Sequence, residues 1–249
     1  MERQKDRLLW IGGHYQQGTD GEFVDNLHPA TGDVICRVAV AGAKDVDLAV
    51  RAARDGLAQL RAMDGTARGR VLMRAAQLLR EQRDDLARLE SLDAGKPISE
   101  TPEADVDSAA DCLEYFAGQA SSLQGEYQQV DGGFFYTRPE PLGVCAGIGA
   151  WNYPLQIAAW KSAPALAAGN AMIFKPAELP PLSALRLAEV FQEAGLPDGV
   201  VHVGQGFAGT GQALTAHPGL DPVALPGGVG TGQAGRGAAA APRPAARRG

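Results

Sequence analysis

The chain has 249 residues, 45% of them apolar, enough for a real core in one large domain or one and a half ordinary ones. A net charge of −6 and an isoelectric point near 5.3 exclude the global basic field that draws nucleic acid. Cys36, Cys112 and Cys145 are widely spaced and form no CxxC or CxxH pair, which argues against structural zinc and a disulfide framework and for a reducing cytoplasm.

The start, MERQKDRLLW, is charged throughout and lacks the apolar centre of a signal peptide. Short strand-like runs follow, LLWIGG, GEFVDNL and VICRVAVA, separated by Gly, Asn and Pro turn signals. Val46, Val50, Ala53, Leu57 and Leu60 recur at three- and four-residue steps and predict an amphipathic helix. A second helical pattern runs from Ala67 to Leu92 and stops at AGKP; a third covers Ala104 to Ala120. QQVDGGFFYTRPEPLG reads as a hairpin turning at Asp131-Gly132.

From Gly143 the rhythm changes. GVCAGIGA predicts a buried strand, then a helix from Pro154; AMIFKP a strand, then a helix over Ser183 to Ala194. GVVHVGQG predicts a third strand with a helix over Thr210 to Ala216, and DPVAL begins a fourth. This alternation means βαβ units and a parallel sheet, hence an α/β fold. Pro141 to Trp160 is about 20 residues without a charge, the length of a membrane span. Its Asn152, Gln156, Pro154 and three glycines fit a strand running into a helix better. From Pro226 the chain is almost entirely Gly, Ala, Pro and Arg, a composition that cannot bury a core and predicts disorder.

The polar residues fall where such sheets bind ligands. Asn152 follows the first of these strands, Lys175 ends the second, and Gly204–Gly206 follow the third, all at carboxyl ends of parallel strands. GQGFAG is a literal G-x-G-x-x-G, with Asp221 downstream, but a chain with 32 glycines produces such matches freely. A short-chain reductase would need a Tyr-x-x-x-Lys, and no tyrosine here has a lysine four residues on. In KPAE, Lys175 and Glu178 could meet a ribose or phosphate, or be a solvated loop pair. Asn152 could aim its amide at a developing oxyanion or cap the helix that Pro154 starts. Tyr153 and Trp160, seven apart and so placed on one helix face, could box a quaternary ammonium or form an aromatic core stripe. Lys161 is a surface charge or a buried proton relay. The three cysteines sit in strands and a helix as apolar filler, and His14, His28, His202 and His217 are scattered.

The long segment EPLGVCAGIGAWNYPLQIAAWKSAPALAAGNAMIFKPAE closely resembles the aldehyde dehydrogenase superfamily, nearest its betaine aldehyde and trimethylaminobutyraldehyde branch. LDAGKP, CLEYFAG and EAGLPDGVVHVGQG support it, and the resemblance spans about residues 8 to 225, or to Gly232 if GGVGTG stands for the family's glycine-rich turn. It implies a Rossmann-like cofactor domain over 1–225, incomplete, with N-terminal helices, an oligomerisation hairpin over 124–142, and a disordered tail over 226–249. It implies NAD, with NADP possible, held by the positions Ile148, Gly149, Ala150, Trp151, Lys175, Glu178, Gly206, Gly228 and Thr231. Asn152 matches the oxyanion donor, Lys161 a proton relay, and Tyr153 and Trp160 tunnel aromatics for a trimethylammonium aldehyde. Asn26, Leu27, Asp93 and Leu179 match positions near a potassium ion. A small-molecule aldehyde substrate, a homo-oligomer, and no nucleic-acid or membrane partner complete what it implies.

The family reaction also needs a cysteine thiolate and a glutamate base, and both belong to the half after Gly232. Leu225-Pro226 stands where the family has Phe-Thr, and the switch to a Gly/Ala/Pro/Arg run suggests a shifted reading frame in GC-rich DNA. The expectation is therefore a cofactor-binding half unable to turn over alone. The competing reading is a non-catalytic nucleotide-binding remnant that associates with full-length subunits through the hairpin.

Overall fold

A computed structural model describes residues 3–221, 223 and 224, and in it the alternation read from Gly143 onward is a parallel sheet. Strands β1 (Leu9–Ile11) and β2 (His14–Gln16) come first, then a separate ribbon of β3 (Phe23–Leu27) and β4 (Val34–Ala39). Helices α1 (Ala43–Ala62), α2 (Gly65–Glu81) and α3 (Arg83–Ala94) follow, then α4 (Ser108–Gln119) after a π-helical turn over Pro102–Asp107. The hairpin β5 (Tyr127–Val130) and β6 (Gly133–Tyr136) stands alone as a two-stranded sheet. Then come β7 (Val144–Ile148), α5 (Pro154–Ala167), β8 (Ala171–Lys175), α6 (Leu182–Glu193), β9 (Val201–Val203), α7 (Ala208–Ala216) and β10 (Val223–Ala224).

The main sheet has the order β10-β7-β8-β9-β1-β2, parallel from β10 to β9 and antiparallel where β1 and β2 join. The chain steps from β7 to β8 to β9 and then returns to the other flank of β7 with β10. Such a reversal of direction leaves a crevice at the carboxyl end of the switching strand, the usual ligand position in open α/β sheets.

Period-two alternation assigns the two faces. Cys145, Met172, Phe174, Val201 and Val203 pack under α2, α4, α5 and α6, while Val144, Ala146, Ala171 and Ile173 pack under α1 and α7. A third, small cluster, Ile35, Cys36, Val38 and Leu182, seats the β3–β4 ribbon.

Two expectations need correction. The helix expected over 67–92 breaks at Gln82, whose φ and ψ are −102° and 16°; no Gly or Pro marks the place, and the Gln82 side chain is gripped by the Arg186 guanidinium at 2.6 and 3.1 Å. The helix expected from 104 begins two residues earlier, as the π-turn. Strand β2 adds to the sequence reading, because three residues with little burial and no alternation carry no signal without their partner β1. Among the described residues no helix is long and apolar enough to cross a membrane. The tail over 226–249 lies outside the described residues.

Candidate active site

The carboxyl ends of β7 and β8 come together first. Ile148 pairs with Lys175, and the Gly149 N–H donates to the Lys175 carbonyl at 2.7 Å. A Cβ on Gly149 would lie 2.9 Å from Phe174 Cζ and 3.2 Å from Pro176 Cα and Ala177 N, so only glycine fits that approach. From α7, a methyl on Gly211 would sit 3.8 Å from Ile148 Cδ1 and 3.9 Å from Lys175 Cδ, which places the start of that helix over the same two strand ends. Gly206, with φ +156°, lets the loop after β9 close against Thr210, whose hydroxyl donates to the Ala41 carbonyl at 2.6 Å.

Lys175 is 5% exposed, and its ammonium donates to the Pro176 carbonyl at 3.0 Å. Burial lowers its pKa, and the nearby Glu178 carboxylate raises it back in part. Glu178 itself is exposed. Ala150 is half-buried, and Trp151 is 70% exposed beside it. Gly228 and Thr231 lie outside the described residues.

Asn152 is exposed and makes no hydrogen bond with another described residue. It is not the cap of α5: that position belongs to Tyr153, at φ −143° and ψ 64°, and its side chain makes no capping bond. Tyr153 therefore precedes the helix rather than riding its face, and the seven-residue spacing to Trp160 does not stack the two rings. They flank two neighbouring open depressions that share Ser108, one bordered by Tyr153 and Gln156, the other by Trp160, Tyr115 and Cys112. One face of the Tyr153 ring already holds the Lys96 ammonium, 3.7 Å from its centroid. Lys161 is half-buried, its stem passing close to Gly147, and burial lowers its pKa.

A dinucleotide fits these strand ends. The carboxyl ends of β7 and β8 meet there beneath the first turns of α7, and Lys175 brings a buried cation with spare donors to the same place. The G-x-G-x-x-G is not used with its downstream acid, because Asp221 bonds Val144 at the amino end of β7, the opposite edge of the sheet. The four positions matched to potassium bring together no set of free side-chain oxygens. Asn26 and Asp93 do meet, but the Asp93 carboxylate is taken by the Asn26 amide at 2.6 Å and the Leu182 N–H at 2.7 Å, while Leu27 and Leu179 turn apolar side chains to solvent. Burial pushes the Asp93 carboxyl up to about 7, which further weakens it as a cation ligand. Among the described residues no three His, Cys, Asp or Glu side chains gather for a metal. The Cys36, Cys112 and Cys145 thiols are each pushed up to about 11 by burial, which leaves them inert as nucleophiles.

Sequence reasoning missed Glu90, Lys96 and Asp105, which lie directly behind this corner. The signal was present: Glu90 and Asp93 continue the stripe of Leu86 and Ala87, so two carboxylates occupy apolar positions of an amphipathic helix.

A family model for the aldehyde dehydrogenase family matches residues 15–244, which carries the likeness past the Gly232 limit drawn from the sequence. Among solved structures, PnpE from Pseudomonas sp. WBC-3 is 40% identical with a TM-score of 0.92, the match covering 94% of this chain and 48% of that one. The NAD+ complex of an aldehyde dehydrogenase from Bacillus cereus is 35% identical with a TM-score of 0.92, covering 94% and 49%. An NADP-dependent enzyme of E. coli is 34% identical at a TM-score of 0.91, covering 94% and 49%. The chain thus spans about half the length of the solved structures it matches.

Proposed function

The chain belongs to the aldehyde dehydrogenase family, and on that premise we propose that it serves the NAD-dependent oxidation of an aldehyde to a carboxylate. The observation that carries this is the meeting of Gly149, Lys175 and the start of α7 over the carboxyl ends of β7 and β8, with an unengaged Asn152 amide just after β7. When bound, the nicotinamide supplies a hydride acceptor. Lys175 and Glu178 hold the adenosine ribose, Gly149 to Trp151 border the nicotinamide, and Glu178 favours NAD over NADP. The Asn152 NH₂ donates to the carbonyl oxygen as negative charge builds on it, and a preorganised donor of this kind contributes about 2.7–4 kcal/mol to the barrier. Lys161, its stem against Gly147 of β7 and its pKa lowered by burial, serves as the proton relay. None of Cys36, Cys112 and Cys145 is the attacking thiolate, given their burial.

The aldehyde we propose is a trimethylammonium one, of the betaine aldehyde type. Trp160, at 49% exposure, offers a ring face on its depression able to attract a quaternary ammonium by roughly 0.5–2 kcal/mol, while the Tyr153 ring already holds the Lys96 ammonium on one face. A cytoplasmic setting belongs to this reading, supported by three free cysteines. The association of subunits through β5–β6 is supported by its exposed Tyr127, Phe134, Phe135 and Tyr136. The same aromatics, with the inert cysteines, favour the second reading of a nucleotide-binding subunit that acts through its partners.

Calorimetric titration of the 249-residue chain with NAD+ and with NADP+ tests the cofactor assignment; saturable NAD+ binding, tighter than NADP+, is the expected result, and no heat with either would overturn it. For the substrate, choline and its uncharged isostere 3,3-dimethylbutanol are compared by saturation-transfer NMR. Preferential contact with choline that a Trp160→Ala change abolishes is expected, and equal signals for both probes would remove the trimethylammonium reading.

A further inference from the structure

The Asn152 side chain is anchored by nothing of its own, so the position of its amide is set by the backbone of the corner from 151 to 155. That corner is short of ordinary helix-start contacts. Tyr153 gives no side-chain cap, and Pro154, at the first helical position, has no N–H. The first orphan donor of α5 is therefore the Leu155 N–H, and it donates to Glu90 Oε1 at 3.0 Å, from a residue 65 positions earlier and 0% exposed. Tyr153 and Gln156, on either side, are also held from behind. Lys96 covers the Tyr153 ring and pairs with the buried Asp105 at 2.6 Å, while Gln156 Nε2 donates to the Ala104 carbonyl and Ser108 Oγ, each at 2.8 Å. Ala104 and Asp105 lie on the π-helical turn, a distortion that recurs at functional sites.

We propose that Glu90 is a positioning residue, a remote N-cap that fixes the start of α5 and so holds the Asn152 amide in its donating position; the inference rests on the role given above to Asn152.

The electrostatics agree with this geometry. Burial pushes the Glu90 carboxyl up to about 8, and Asp105 and Asp93 raise it further, against the Leu155 N–H and the Ser183 hydroxyl, which lower it. Asp105 is also raised by burial and by Glu100, and lowered by the Lys96 ammonium at 2.6 Å. The Glu90 carboxyl therefore favours its protonated form at neutral pH, with Oε1 accepting from the Leu155 N–H and Oε2 buried without a hydrogen-bond partner among the described residues. Above about pH 8 Glu90 would gain a charge in a buried site shared with Asp105 and Asp93, where the Lys96 ammonium is already paired with Asp105.

Hydrogen exchange of the full chain, corrected for intrinsic rates and without cofactor or substrate, tests this, so the result does not depend on whether NAD+ binds. In Glu90→Leu the amides of 155–157 should lose protection by about tenfold or more while β7 and β8 keep theirs. Glu90→Gln, whose carbonyl still accepts and whose NH₂ still donates, should restore it. Wild-type protection should fall between pH 7 and 9.5 and that of Glu90→Gln should not. Retained protection in Glu90→Leu, an equal loss in Glu90→Gln, or a loss spread evenly over the sheet would overturn the proposal.

Discussion

Replacing Lys175 by methionine separates binding from folding. Methionine keeps a stem of similar length against Ile148 and Gly211, so β8 stays packed, but the ammonium is gone. A hydrogen bond from a charged donor contributes about 1.5–3 kcal/mol, so the NAD+ dissociation constant should rise roughly 10- to 150-fold. Stability should move the other way or not at all. The ammonium is 5% exposed with one carbonyl acceptor among the described residues, and burial disfavours its charge; removing a desolvated cation offsets the loss of about 1 kcal/mol for one hydrogen bond. The assay is calorimetric titration beside a thermal melt at pH 7. A dissociation constant within about twofold of wild type would refute the binding role, since it falls far below the effect of one charged bond. A Tm lowered by several degrees would refute the claim that the charge is a burden on the fold.

Two further predictions concern the loop after β9. Gly206→Ala should destabilise by about 1–3 kcal/mol, because φ is +156° and the new Cβ would meet Thr210 Oγ1. Gly209→Ala, which meets nothing within 4 Å on the first turn of α7, should be neutral or stabilising in urea melts; equal effects at the two sites would contradict the argument. His202 is buried with Nδ1 accepting from the Gly12 N–H and Nε2 donating to the Gly199 carbonyl, and burial lowers it from 6.5 to about 4. A pKa depressed on folding gives stability that is present above the unfolded value and lost as pH falls through the folded one. Wild type should therefore lose about 3 kcal/mol between pH 6.5 and 4 from this group, and a His202→Gln variant with the same acid slope would refute the assignment.

The second half of the fold was legible because each βα step is punctuated locally. Ile173 and Phe174 are apolar on both faces, Gly195 and Gly199 mark the turns, and Asn152, Lys175 and Gly206 fall at strand ends by chain order alone. What escaped the sequence is tertiary in origin. Gln82 ends a helix because Arg186, 104 residues away, holds it, and Glu90 is a cap only because Leu155 lacks another partner. Tyr153 and Trp160 looked like one face because a helical period was extended one residue past the true start of α5.

The place of β1 in the sheet governs how the chain can be made. Trp10 pairs with Val203, so the strand that is synthesised first waits on one synthesised almost two hundred residues later. At roughly 5–20 residues per second, a ribosome leaves Leu9–Ile11 without their neighbour for about 10–40 s. During that interval three apolar residues and the open flank of the sheet are available to chaperones or to other chains. The flank of the sheet at β1 closes only with the arrival of β9, and a pause in translation before residue 201 would lengthen the exposure without altering the finished fold.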